Sequence, residues 1–244
     1  MSSRVLVTRP QPGAGATARR LDELGFEAVV LPLTEIRELA VDPLPAASPI
    51  DAVVVTSANA VRHAPRELLS LFLDRPCFAV GAETAAAAGK SGFSRVAAGT
   101  GDAAGLARLV TDTLPPGARI LYLCGRVRLV GVEDRLRRKG MHVAIAETYD
   151  APEVVYPIDE LTDRLGSAPL DAALLHSARA ASGLAGLVSL PGIEPLFAKT
   201  LFLCLSDRVA AALRDVGEGR VFAAPTPDEA ALLALLRQRC GNGA

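Results

Sequence analysis

The chain says nearly the same thing twice. RVLVTRP at Arg4–Pro10 aligns with RILYLCG at Arg119–Gly125, and Leu21–Gly25 aligns with Leu136–Gly140, both at an offset of 115. DAVVVTSANA from Asp51 returns as DAALLHSARA from Asp171 at an offset of 120. Farther on the offset is 125: Gly92, Arg95 and Val96 answer to Gly217, Arg220 and Val221, and GDAAGLA from Gly101 answers to TPDEAAL from Thr226. The order is kept while the offset drifts, as small loop insertions would make it. A repeat this long is a duplicated domain rather than a solenoid unit. A chain of 244 residues then reads as two domains, and its 50% hydrophobic content suffices for two small cores.

Within each copy, short apolar runs alternate with Ala/Leu/Arg stretches of helical length. Strands are expected at Val5–Thr8, Ala28–Leu31, Ala52–Thr56, Cys77–Val80 and Val96–Ala98, with helices at Ala14–Leu24, Asn59–Leu69, Thr84–Lys90 and Ala103–Leu114. In the second copy the strands fall at Ile120–Leu123, Val143–Ala146, Ala172–Leu175, Leu201–Leu205 and Val221–Ala223. Its helices lie near Asp134–Lys139, Arg179–Val188, Arg208–Arg214 and Asp228–Gln238. Runs that are continuously apolar suit strands buried on both faces, so the expected fold class is α/β, each domain a parallel sheet wrapped by helices. Leu31–Ala40 and Glu147–Tyr156 read as paired crossings between the domains. Pro43, Pro45 and Pro49 make the stretch after the first a poor helix, and Pro152 and Pro157 do so for the second. Two crossings imply one discontinuous domain, residues 1–35 with 152–244, and an inserted one, residues 36–151, joined by a two-stranded linker; periodicity alone also permits two contiguous copies.

A net charge of −1 gives no general case for nucleic-acid binding. The arginines in MSSRVLVTRP and the lack of a long apolar run lead to the expectation of a cytoplasmic protein without membrane contact. Cys77, Cys124, Cys204 and Cys240 stand singly, so neither a zinc site nor a disulfide framework is expected.

Open parallel sheets bind ligands beyond their carboxyl ends, where helix N-termini offer unpaired N–H groups. Those ends are rich in small polar residues here. Thr56-Ser57-Ala58-Asn59, Gly81 to Thr84 and Thr100 to Asp102 follow strands of the first copy; His176 to Arg179, Ser206 to Arg208 and Pro225 to Pro227 follow those of the second. Any one such turn serves equally as an ordinary helix cap, but six together suggest a polyanion site. Arg9, Arg126, Arg128, Arg179 and Arg208 lie at the same ends, with guanidinium forks suited to carboxylates; Arg126 and Arg128 also suit a solvated loop. Gly13-x-Gly15-x-x-Ala18 imitates a dinucleotide fingerprint, but Arg9 to Pro12 separate it from the strand, where a true fingerprint turns at once. Tyr149, at the end of the second crossing, is a phenol able to donate a proton without carrying charge, or an aromatic plug; its counterpart is Thr34.

Taken in order, VLVTRP, VVVTSANAV, AVGAETA, GDAAGLA, ILYLCGR, ETY and APTPDEAALLALL make the chain resemble the uroporphyrinogen-III synthase family over nearly its whole length. The resemblance implies two α/β domains with the active site in the cleft between them. It implies cofactor-independent cyclisation of hydroxymethylbilane to uroporphyrinogen III, with inversion of ring D and loss of water. It implies Tyr149 as the catalytic residue assisting departure of the hydroxyl. The expected substrate-binding set is Arg9, Thr56, Ser57, Ala58, Asn59, Thr84, Arg126, Ser177 and Arg208, Thr84 matching the family's glycine-threonine turn. No metal or organic cofactor is expected, and the protein is expected to be a monomer receiving substrate from hydroxymethylbilane synthase. The chain departs from the family at Ser206 to Val209, where a Gly-x-Thr-Thr-like turn is common, and at His176, where threonine is common. The competing readings are a non-catalytic tetrapyrrole- or polyanion-binding sensor and a nucleotide-dependent oxidoreductase; retention of Tyr149 and both crossings favours the enzyme.

Overall fold

Strands buried on both faces must present apolar side chains to each, and the continuous runs do so. The computed structural model describes residues 2–41, 49–217 and 219–241. The chain opens with β1 (Arg4–Val7), α1 (Gly13–Glu23) and β2 (Glu27–Val30), then runs through β3 (Arg37–Glu38), β4 (Ala52–Val55), α2 (Ala58–Arg62), α3 (Arg66–Ser70) and β5 (Cys77–Ala79). It continues with α4 (Ala82–Lys90), β6 (Val96–Ala98), α5 (Ala103–Thr113), β7 (Arg119–Gly125), α6 (Val132–Arg138) and β8 (His142–Asp150). The last part holds α7 (Ile158–Leu165), β9 (Ala172–Leu175), α8 (Ala178–Leu187), β10 (Leu201–Cys204), α9 (Asp207–Ala210), β11 (Val221–Ala223) and α10 (Glu229–Cys240).

Two compact units result, Met1–Ile36 with Pro152–Ala244 and Arg37–Ala151. The first holds a parallel sheet of order β11-β10-β9-β1-β2. The second holds the order β3-β8-β7-β4-β5-β6, parallel except for the antiparallel pair of β3 with β8. Strand β1 therefore pairs with β9 and β4 with β7, so each sheet takes strands from both copies of the repeat. Contiguous copies would have put β1 beside β4.

Each sheet packs helices on both faces. In the first unit Leu6, Ala173, Leu175 and Phe202 belong to one core cluster while Val5, Val7, Ala172, Leu174 and Leu203 belong to the other, an alternation of period two. In the second, Val53, Val55, Leu121 and Leu123 oppose Ala52, Val54, Ile120 and Tyr122. The repeat is also visible in polar detail. Asp51 accepts from the Arg119 N–H at 2.8 Å and returns a backbone bond to its carbonyl, and Asp171 does the same with Arg4, also at 2.8 Å.

Several expectations are corrected. Asn59–Leu69 is two helices, because Pro65 disfavours helical backbone at Ala64 and removes a donor; Pro65 caps α3 instead. Arg208–Arg214 divides into α9 and a 3₁₀ turn at Ala211–Leu213. Pro157 starts a helix rather than preventing one: it stands at the N-cap of α7, with Asp159 and Glu160 in the favourable first turn. Strand β8 runs past its expected end at Ala146 through Asp150, so Tyr149 stands in a strand paired with both β7 and β3. Pro43 and Pro45 lie outside the described residues.

Candidate active site

Polar residues gather at the carboxyl ends of the second unit's strands because each chain segment there must turn into a helix and satisfy its first N–H groups. After β4, Ser57 caps α2 and accepts from the Asn59 N–H at 3.2 Å. The same hydroxyl accepts from the phenol of Tyr149 at 3.0 Å. Thr56, one residue earlier, pairs its hydroxyl with that of Tyr122 at 2.9 Å. Burial pushes the Tyr149 phenol above its usual range, and the hydrogen bond to Ser57 opposes this without cancelling it. Burial likewise raises the Tyr122 phenol against the pull of Thr56, and drives the Cys124 thiol up to about 12. This strand end is therefore a group of neutral, protonated hydroxyls able to donate hydrogen bonds at neutral pH.

The remaining predicted residues of this unit stand on the same rim with different surroundings. Ala58 is buried, and Asn59 accepts from Arg62 at 3.4 Å. Thr84 is buried in the first turn of α4, whose cap, Gly81, is extended. The Arg126 N–H donates to the Tyr149 carbonyl at 2.9 Å, while its half-exposed guanidinium lies 3.4 Å from Asp150 and 3.7 Å from Glu147. Arg128 is held at 2.7 Å by Glu147.

In the first unit Arg9, Ser177 and Arg208 follow three different strands. Arg9 lies 3.4 Å from Glu229, the first residue of α10, and 3.5 Å from Thr17. Glu229 accepts from the Thr17 hydroxyl at 2.5 Å and pairs with Arg20. Burial opposes ionisation of Glu229, but Thr17, Arg9 and Arg20 together hold its carboxyl below the usual range. Gly13 belongs to this arrangement: a Cβ there would lie 2.5 Å from Arg9 Nε, so the false fingerprint leaves room for an arginine. Ser177 caps α8, accepting from the Ala180 N–H at 3.1 Å. Arg208 is exposed on the four-residue α9, where Ser206 makes no side-chain cap.

Three features escape sequence reasoning. His176 retains some exposure, yet both its ring nitrogens are closed to solvent and have no hydrogen-bond partner among the described residues. Burial foremost, and then Arg9, lower its ionisation from 6.5 to about 3, with Glu229 pulling the other way. Thr148 donates to the Ala60 carbonyl at 2.7 Å, fastening β8 to α2. Gly125 sits directly against the Tyr149 ring. Among the described residues no group of three His, Cys, Asp or Glu is placed to hold a metal ion, and no helix is long and apolar enough to cross a membrane.

Comparison with known proteins places these observations. The family model described as Uroporphyrinogen-III synthase HemD matches residues 15–234. The fold is similar to the crystal structure of uroporphyrinogen-III synthetase from Helicobacter pylori 26695, with 17% identity over 98% of this chain and 99% of that chain, and a TM-score of 0.66. It is also similar to a mutant uroporphyrinogen III synthase from the extremely thermophilic bacterium Thermus thermophilus, with 20% identity over 98% of each chain and a TM-score of 0.60. At these identities the structural likeness speaks for the fold alone. Comparison with curated protein sequences gives no match.

Proposed function

The chain belongs to the uroporphyrinogen-III synthase family and is an enzyme of that family, and on this premise we propose that it closes hydroxymethylbilane to uroporphyrinogen III, inverting ring D and releasing water, with Tyr149 as proton donor. The terminal carbon–oxygen bond breaks with its electron pair leaving on oxygen. The phenol protonates that oxygen, and a pyrrole nitrogen lone pair stabilises the azafulvene left behind. The substituted carbon of ring D then attacks the azafulvene methylene to give a spiro-pyrrolenine, whose rearrangement and loss of a proton, which restores the phenol, complete the inverted macrocycle. The observation that carries the reading is the Tyr149 phenol, neutral at pH 7 as phenols are and donating to Ser57 at 3.0 Å at the carboxyl end of the sheet. A donor that is neutral at pH 7 and already hydrogen-bonded to a hydroxyl suits departure of a hydroxyl as water.

The rest of the reaction asks for positioning. Thr56, Ser57, Ala58, Asn59, Thr84 and Arg126 in one unit, and Arg9, Ser177 and Arg208 in the other, are the residues assigned to the acetate and propionate groups. In this reading the substrate lies in a cleft between the two units, joined by a two-stranded linker, and bringing its two ends together replaces a loose encounter by an oriented one. The reading includes no metal or organic cofactor, a monomer in the cytoplasm, and delivery of the bilane by hydroxymethylbilane synthase. The test is to supply hydroxymethylbilane and separate the type I and type III isomers of the oxidised product. Predominant type III is expected. Type I alone, formed at the spontaneous rate, contradicts the reading, and tight bilane binding without acceleration points instead to a tetrapyrrole-binding sensor.

A further inference from the structure

Alternate side chains of a regular strand fall on opposite faces. In β8, Val143 and Ile145 pack on the face that holds Ile120 and Tyr122, and Ala146 packs on the face that holds Leu121 and Leu123. Continued without interruption, that alternation would put Thr148 with Ala146 and Tyr149 with Ile145. Thr148 obeys, since its hydroxyl reaches the Ala60 carbonyl of α2, and Ala60 and Val61 belong to the Ala146 face. Tyr149 does not obey: it packs on that face as well.

The register explains the exception. Cys124 pairs with Glu147, but the next residue, Gly125, pairs with Tyr149, so Thr148 is one residue more than β7 can match. Such a bulge breaks the alternation and re-aims the side chain that follows it. Here it turns the phenol onto the α2 side, where it donates a hydrogen bond to Ser57. The turn also requires an empty position opposite. A Cβ on Gly125 would lie 2.7 Å from Tyr149 Cζ and 2.9 Å from Cε1, closer than real Cβ atoms approach their neighbours, and 3.0 Å from the hydroxyl.

We infer that the bulge at Thr148 and the bare backbone of Gly125 form the device that positions the Tyr149 phenol, making Thr148 and Gly125 positioning residues for the cyclisation. Thr148 pins the bulge to α2 through its hydroxyl, and Gly125 leaves the space into which the ring turns. The inference rests on the assignment of Tyr149 as proton donor.

The experiment is a double-mutant cycle read in kcat, KM and the ratio of type III to type I product. Gly125→Ala, Thr148→Val and Thr148→Ser are each measured alone and combined with Tyr149→Phe. Gly125→Ala and Thr148→Val are expected to lower kcat for the type III isomer about tenfold or more, with KM nearly unchanged, since a small displacement of a positioned donor costs on that scale. Thr148→Ser, which keeps the hydroxyl, should retain most of the rate. With Tyr149→Phe in place, neither Gly125→Ala nor Thr148→Val should cost more than about a further twofold, because the group they position is gone. If Gly125→Ala fails to fold, the Thr148→Val and Thr148→Ser pair carries the test. Full rate and unchanged isomer ratio in Gly125→Ala and Thr148→Val, beside a slow Tyr149→Phe, would overturn the positioning device and leave the donor assignment standing. Equal losses with and without the phenol would show a structural defect and overturn it too. A fully active Tyr149→Phe would instead remove the donor assignment, and the inference with it.

Discussion

Asp51 fastens Arg119 in one unit as Asp171 fastens Arg4 in the other, Ser57 caps α2 as Ser177 caps α8, and Asp102 caps α5 as Asp228 caps α10. Both sheets repeat the same neighbour order once β3 is set aside. The units differ in what lies beyond the strand ends. In one, a strand extended past its counterpart carries a bulge, and the phenol it delivers shares a serine with a helix cap. In the other, the strand equivalent to β8 stops at Val30, and Thr34, which corresponds to Tyr149, is buried beside Glu153. There the polar residues satisfy one another as the Arg9–Glu229–Thr17 group, with His176 next to them unsatisfied. A duplicated scaffold thus keeps what closes its sheets and diverges in what its strand ends can donate.

That contrast can be broken by experiment, in order of falling effect on stability. The largest change belongs to His176. Its folded ionisation lies near 3 against 6.5 unfolded, so the unfolded chain binds the extra proton between those values, and the stability present above 6.5 is lost as pH falls toward 3. From pH 7 to pH 5 the wild type should lose about 2 kcal/mol relative to His176→Thr, at roughly 1.4 kcal/mol per unit once the unfolded histidine is charged. Parallel denaturation curves for the two proteins across that range would show that the imidazole is not held neutral. Glu229 acts in a lower window: its lowered ionisation supplies stability above 4.5 that disappears only with further acidification.

Next come the twin caps. Ser57→Ala and Ser177→Ala should each cost about 1 kcal/mol in chemical denaturation, the ordinary value of a lost N-cap. Ser57→Ala should also lower kcat, because that serine holds the phenol, whereas Ser177→Ala, at a residue assigned to a substrate carboxylate, should act on KM; equal losses of kcat in the two would erase the distinction between the units. Smallest is Arg126→Gln. Its guanidinium is more than half exposed and its carboxylate partners are 3.4 and 3.7 Å away, so stability should move by under about 0.5 kcal/mol. A rise in KM without that stability change would mark Arg126 as a substrate contact, and an unchanged KM would mark it as a solvated loop charge.

How much of this is legible in the sequence varies with the range of the interaction. Strands such as β9 and β11 follow from local apolar runs, and the capping serines from their place just before a helix. Pro65 hides inside a run of helical composition and Pro157 counts locally against a helix, yet one separates two helices and the other opens one, because a proline's effect depends on which turn it occupies. Tyr149 stands out in the sequence, but the run of β8 past Ala146 does not, since it is completed by pairing with β3 from far along the chain. The bulge has no local signature at all. It exists only in the register of β8 against β7, and the matching Gly125 reads in isolation as a strand-ending glycine. The state of His176 is equally invisible, for it depends on which groups close around the ring rather than on the residues beside it in sequence.

The most direct test of the division of labour is the product distribution of Tyr149→Phe measured beside His176→Thr, with hydroxymethylbilane as substrate and both proteins folded at pH 7. Tyr149→Phe should form the type III isomer roughly tenfold to a thousandfold more slowly and let type I accumulate, while His176→Thr keeps the type III product predominant. Equal rates and isomer ratios for Tyr149→Phe and the unaltered chain would contradict the account, leaving the phenol as packing at a strand end.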